Sequence, residues 1–200
     1  MRLGIFGGTF DPPHVGHLLA ASDAIEQLAL DRLAFVPAAV QPLKASRSTA
    51  LGVHRLEMLR LTVSDDPRLE TDSVELDRDG LSYTVDTLRE FARRHPSAER
   101  YFLVGADVLS SFAQWRDPKI VLELATLAVL TRRSEGETST APRLTAEMDA
   151  EVARRSTVVP TRRIDVSSTE IRERVRTGRS IHGFVTDDVA GYISSHGLYR

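Results

Sequence analysis

The chain has 200 residues, 42% hydrophobic and 27% charged, enough to bury a sizeable core in one domain. Its 26 basic and 28 acidic residues leave a net charge of −2, which argues against a general nucleic-acid binder. Cysteine is absent, which excludes disulfides, thiol nucleophiles and cysteine-ligated metal, and no apolar run approaches the ~18 residues that span a bilayer.

Leu3 to Phe6 is a short apolar run and reads as the first strand. It begins almost at the N-terminus, with no space for a signal peptide, so a cytoplasmic protein is expected. Gly7-Gly8-Thr9-Phe10-Asp11-Pro12-Pro13-His14-Val15-Gly16-His17 follows, and helical periodicity starts at Leu18. A strand, a glycine loop and a helix start present backbone N–H groups to an anion at the positive end of the helix dipole. His14 and His17, three apart, share one helical face and can donate to phosphate oxygen. The string lacks Gly-Lys-Ser/Thr, so it is not the common P-loop, and it lacks the Gly-x-Gly-x-x-Gly dinucleotide spacing.

A helix is expected to Leu30 and a second strand at Leu33 to Val36, which makes a βαβ unit. Pro37 to Ser48 is a loop at the C-terminal edge of that strand, where Lys44 and Arg47 can reach the same phosphates. Lys44 and Lys119 are the only lysines. Val53 to Val63 reads as helix and Leu69 to Leu76 as a weak strand. Ser82 or Thr84 is expected to cap a helix that runs on through Phe91. The bare sequence favours a plain cap there over an anion site.

Arg100 to Val104 is a buried-strand run, and Gly105-Ala106-Asp107 follows it. A glycine allows close approach of a ligand, and an Asp just past a strand can accept from ribose hydroxyls. Trp115 stands among Gln114, Arg116 and Asp117, so core packing and a stacking role are both open. Asp117-Pro118 should start a helix over Lys119 to Ala125, and Leu127 to Leu130 should be a strand. Arg133 to Arg143 is polar and aperiodic, the best candidate for a mobile loop. Leu144 to Arg155 reads as helix and Thr157 to Pro160 as strand. Ser167 and Glu170 form a capping box. Arg172 in the first turn opposes the helix dipole and suggests an anion there. Val185 to Leu198 is expected as a closing helix, capped by Thr186 and ended by Gly197.

Four motifs, in order, give a resemblance that covers essentially the whole chain. They are Gly7 to Pro12 with His14-x-Gly16-His17, Ser82 to Leu88, Gly105-Ala106-Asp107 with Trp115, and Ser167-Ser168-Thr169-x-Ile171-Arg172. The chain resembles the His-x-Gly-His nucleotidyltransferase superfamily, and within it the bacterial nicotinate-nucleotide adenylyltransferases. The resemblance implies an α/β fold, a doubly wound Rossmann-like parallel sheet with helices on both faces. It implies a single domain over 1–200, its C-terminal helical part at about 167–200. It also implies a reaction of NAD biosynthesis, in which ATP and nicotinate mononucleotide give deamido-NAD and pyrophosphate.

Carried over residue by residue, His14, His17, Lys44 and Arg172 would be catalytic. Gly7, Gly8, Thr9, Phe10, Gly105, Asp107, Arg132, Ser168 and Thr169 would bind ATP. Thr84, Trp115 and the backbone at Arg116 would bind the nicotinate mononucleotide. Mg²⁺ would arrive on the ATP phosphates, with no metal site of the protein's own. Partners would be these small molecules, with no nucleic acid and no membrane, and a homo-oligomer stays open. One departure is that the family loop often reads Pro-Pro-His-Lys, where this chain has Gln41-Pro42-Leu43-Lys44. Related enzymes acting on nicotinamide mononucleotide or phosphopantetheine are the alternatives, and a non-catalytic nucleotide sensor is a further one.

Overall fold

A computed structural model describes residues 1–40, 50–78, 80–132 and 150–200. Lys44, Arg47, most of the Pro37–Ser48 loop, the 133–143 loop and the first half of the expected 144–155 helix lie outside them. The side chain of Arg132 is likewise not described.

Six strands, β1 (Arg2–Gly8), β2 (Arg32–Pro37), β3 (Leu69–Thr71), β4 (Glu99–Gly105), β5 (Thr126–Arg132) and β6 (Ser156–Thr161), form one sheet of order β3-β2-β1-β4-β5-β6. This is the doubly wound Rossmann-like α/β order, as the motifs imply. Pairing is parallel from β1 through β4 and β5 to β6. The strands that carry continuous apolar runs, β1, β2 and β4, each hold an unbroken buried stretch of at least four residues, as parallel strands covered on both faces do. Helices α1 (Val15–Leu28), α2 (Gly52–Val63), α3 (Thr84–Arg94), α4 (Pro118–Leu124), α5 (Ala150–Arg154), α6 (Ser168–Arg176) and α7 (Asp187–Ser195) connect or follow them. No helix among the described residues is long and apolar enough to cross a membrane.

Several boundaries and caps differ from the sequence expectation. The strand expected at Leu69 to Leu76 stops at Thr71, because Asp72 Oδ1 accepts from the Val74 N–H and Ser73 O from the Leu76 N–H, which turns the chain. A 3-10 helix over Ala106–Gln114, with no clear periodic signal in the sequence, follows β4 directly. Neither Ser82 nor Thr84 caps α3: the N-cap position is Tyr83 and no side chain bonds there. Asp117 stands at the N-cap of α4 in the left-handed region at φ 49°, yet its carboxylate makes no cap bond. Thr186 is the N-cap of α7 by position only, its hydroxyl oxygen buried without a hydrogen-bond partner among the described residues. At α6 the expected cap forms, with Ser167 Oγ accepting from the Glu170 N–H at 3.1 Å.

The chain gathers into two compact units, each assembled from three separated stretches: 1–7, 20–33 and 83–163 in the first, 8–19, 34–82 and 164–200 in the second. In the first unit, Phe6 of β1 lies level with Leu103 of β4, so both strands end on the same edge, at the point where the strand order reverses. Ligands of open α/β sheets bind outside that edge. In the second unit, Met58 of α2, Ile171 of α6, and Val185, Val189 and Ile193 at α7 form a buried apolar cluster. Ile171→Ala is expected to lower the unfolding free energy by about 2–5 kcal/mol in chemical denaturation. A loss well under ~1 kcal/mol would show that this cluster does not anchor α6.

Candidate active site

The described candidate residues fall into two groups, one in each unit. The second unit holds the loop after β1. Phe10 adopts φ 49°, a left-handed conformation, and its ring is buried. That ring lies edge-on to Phe35 at 5.5 Å and to the His17 ring at 4.9 Å. It also explains Gly8, since a Cβ there would meet Phe10 Cζ at 2.8 Å. Gly16 has a similar cause: a Cβ would stand 3.0 Å from the His14 ring. Both glycines of the His-x-Gly-His string and its neighbour thus make room for a ring.

The two imidazoles stack, with centroids 3.7 Å apart and planes 24° apart. The His14 backbone N–H donates to His17 Nδ1 at 3.2 Å. A neutral His17 ring therefore carries its proton on Nε2, as a fixed N–H donor. Burial pulls the pKa of His14 down to about 4, and burial followed by the nearby His14 pulls His17 well below its ordinary value. Both rings are neutral at pH 7. His14 Nδ1 is buried with no hydrogen-bond partner among the described residues, an unsatisfied polar atom of the kind that marks a ligand site.

Side chains distant in sequence hold the loop. Arg55 donates to Thr9 O at 2.8 Å, Arg172 to Asp11 O at 2.7 Å, and Ser168 Oγ to Pro12 O at 2.8 Å. Ser168 thus spends its hydroxyl proton on the loop backbone. Thr169 Oγ1 accepts from Arg172 at 3.3 Å, which fixes the guanidinium beside the first turn of α6. The peptide bond between Asp11 and Pro12 is cis. Arg55 and Tyr199 stand in none of the four sequence motifs. The available signal for Arg55 was an arginine on the apolar face of α2, four residues before Leu59; for Tyr199 there was none.

The first unit holds the remaining candidates. Gly7 ends its part of β1 against the Phe102 ring, where a Cβ would lie 3.3 Å from Phe102 Cζ. Gly105 closes β4 with the Asp107 carboxylate folded over it, Oδ1 only 2.5 Å from where a Cβ would be. Arg132 is the last residue of β5. Thr84 opens α3, whose N-terminus no side chain caps. Asp86, in the first turn, pairs with Arg89 at 3.1 Å and Arg116 at 3.5 Å. The Arg116 guanidinium lies over the Tyr83 ring at 4.8 Å. Trp115 is half-buried and packs on Phe112 at 5.2 Å and edge-on to Phe102 at 6.1 Å. Its ring is thus braced from within the unit and still partly open to solvent.

Among the described residues, no group of three or more His, Cys, Asp or Glu could hold a metal ion. The buried carboxylate of the loop, Asp11, is occupied by the Tyr199 hydroxyl at 2.7 Å and the Ala50 N–H at 3.3 Å.

The Cytidylyltransferase-like family model matches residues 5–174. A protein of Gemmatimonas aurantiaca named "Probable nicotinate-nucleotide adenylyltransferase" is 51% identical over 201 residues, covering 100% of this chain and 93% of its own. A protein of Thermus thermophilus with the same name is 44% identical over 204 residues, covering 100% of both chains. Among solved structures, Plasmodium falciparum nicotinic acid mononucleotide adenylyltransferase complexed with NaAD matches with a TM-score of 0.73 at 17% identity, covering 99% of this chain and 97% of that one. This last is a likeness of fold.

The neutral state of His14 has a consequence for stability. Its folded pKa of about 4 lies below the unfolded value near 6.5, so between these the unfolded chain binds more protons. The stability it contributes is complete above the unfolded pKa and falls as pH drops from about 6.5 to about 4, by up to roughly 3 kcal/mol. His14→Gln is expected to flatten the pH dependence of the denaturation midpoint in that window. Equal slopes for the two proteins would contradict a buried neutral His14.

Proposed function

The chain belongs to the cytidylyltransferase-like family and, within it, to the nicotinate-nucleotide adenylyltransferases, and on that premise we propose how its residues run the reaction. The enzyme transfers the adenylyl group of ATP to nicotinate mononucleotide, giving deamido-NAD and pyrophosphate, a step of NAD biosynthesis. A phosphate oxygen of the mononucleotide attacks the α-phosphorus of ATP. A new P–O bond forms, the bond to the β-phosphate oxygen breaks, and pyrophosphate leaves with its electron pair. The attacking oxygen is already ionised near neutral pH, so no general base is required. Catalysis then lies in positioning and charge neutralisation.

The observation that carries this reading is the stacked, neutral histidine pair on a tied loop at the start of α1. His17, with its proton on Nε2, donates to the α-phosphate as charge builds, and His14 donates beside it. The backbone of Gly7, Gly8, Thr9 and Phe10 lines the triphosphate. Lys44 and Arg172 supply positive charge, and Thr169 a hydroxyl. Ser168 acts there by holding Pro12. Mg²⁺ bound to the triphosphate would neutralise the departing pyrophosphate. Gly105, Asp107 and Arg132 hold the adenosine.

Thr84 begins a helix whose N-terminus is uncapped, with the Asp86 charge offset by two arginines, which suits the nicotinate carboxylate. Trp115 stacks on the pyridine ring, and the backbone at Arg116 adds a contact. The compact units are interleaved in sequence, so we read residues 1–200 as one nucleotidyltransferase domain. Its setting is the cytoplasm, where a chain without cysteine needs no oxidising compartment.

Pyrophosphate release, measured with ATP, Mg²⁺ and a panel of acceptors, is expected to be fastest with nicotinate mononucleotide. A preference for nicotinamide mononucleotide or phosphopantetheine would contradict the substrate assignment. No release with any acceptor would mark a nucleotide sensor. His17→Ala is expected to fold normally and lose about 10²–10³-fold in kcat, the usual cost of one preorganised donor. Near-wild-type turnover in that variant would overturn the role given to the histidine.

A further inference from the structure

We propose that Arg55, Asp11 and Tyr199 form a positioning brace that sets the backbone of the phosphate loop, and that turnover depends on it. The inference rests on the reading of that loop as the triphosphate site. Arg55 and Asp11 are each only 2% exposed, an unusual depth for two charged residues. The Arg55 guanidinium donates to Thr9 O at 2.8 Å and to Ala50 O at 3.2 Å. Asp11 Oδ1 accepts from the Tyr199 hydroxyl at 2.7 Å and from the Ala50 N–H at 3.3 Å. Asp11 and Glu75 supply countercharge to Arg55. Burial, followed by the hydrogen bond to Asp11, pushes the pKa of Tyr199 up, so its hydroxyl keeps the proton it donates.

Three features favour positioning over simple packing. Two charged side chains buried to this depth are seldom more stabilising than apolar residues of the same volume, so their use here points to orientation. Tyr199 holds φ 65° and Phe10 φ 49°, so the backbone is strained at Tyr199 and within the loop, as at sites where geometry outweighs stability. In a trans peptide the N–H points opposite to the carbonyl, so drawing Thr9 O inward to Arg55 turns the Phe10 N–H the other way. Losing the brace therefore misaligns the loop against the α-phosphate. It leaves Thr84 and Trp115, in the first unit, in place.

The test is Tyr199→Phe, which deletes one hydroxyl and keeps the ring. Its kinetics are compared with those of Tyr192→Phe, a tyrosine of α7 bonded to His54 and outside the brace. Tyr199→Phe is expected to fold, to lose about 10- to 100-fold in kcat, and to keep KM for nicotinate mononucleotide within about twofold. Tyr192→Phe is expected to change neither. Should Tyr199→Phe fail to fold, Asp11→Asn carries the same expected loss. A folded Tyr199→Phe with kcat within about twofold of wild type overturns the brace. So does a loss matched by an equal rise in the acceptor KM. His17→Ala separates the two readings: if it is inactive while Tyr199→Phe is fully active, only the brace fails. If both are active, the triphosphate assignment fails with it.

Discussion

The candidate residues of the second unit depend on fastening one short run of backbone between β1 and α1. Thr9, Asp11 and Pro12 each surrender a carbonyl to a side chain from α2 or α6. A loop has no ladder to satisfy its polar groups, so these side chains do what secondary structure does elsewhere. Once they hold, Phe10 can stay in its left-handed conformation with its ring under Gly8, and the chain enters α1 with the His14 N–H aimed at His17 Nδ1. The position of a side chain 188 residues away, Tyr199, reaches the loop through Asp11.

The electrostatics follow from the same packing. Two stacked imidazoles at 3.7 Å would repel if both were charged, and burial disfavours charge on either. They are therefore neutral rings, and the His14 N–H at His17 Nδ1 leaves the His17 proton on Nε2. Arg172, from the middle of α6, reaches back to donate to Asp11 O and to Thr169 Oγ1 in the first turn. At α3 no side chain caps the N-terminus, and the acidic residue of its first turn, Asp86, pairs with Arg89 and Arg116.

The alternation of apolar runs and helical periods was readable because each strand and helix carries its own local signal. The runs at Leu3, Leu33, Arg100 and Leu127 each became a strand of the parallel sheet. The glycine loop was readable because its glycines are forced by rings two residues away along the chain, Phe10 beside Gly8 and His14 beside Gly16. What escaped was tertiary. Ser82 looked like a cap, but its hydroxyl oxygen accepts from the Ala39 N–H, 43 residues away. Arg55 meets Thr9 across 46 residues, and its place on the apolar face of α2 does not name that partner. The 3-10 helix after β4 lacks a period by which to recognise it. Trp115 was ambiguous in sequence, and it proves to be half-buried, with its ring on Phe102 and Phe112.

A nitrogen NMR spectrum of the histidine-labelled protein, with His17 assigned by its absence in His17→Gln, reads the state of that ring directly. A neutral ring protonated on Nε2 is expected at pH 7, unchanged down to about pH 6 where an ordinary histidine has largely titrated. A proton on Nδ1, or an imidazolium at pH 7, would contradict a loop that fixes His17 as a neutral donor.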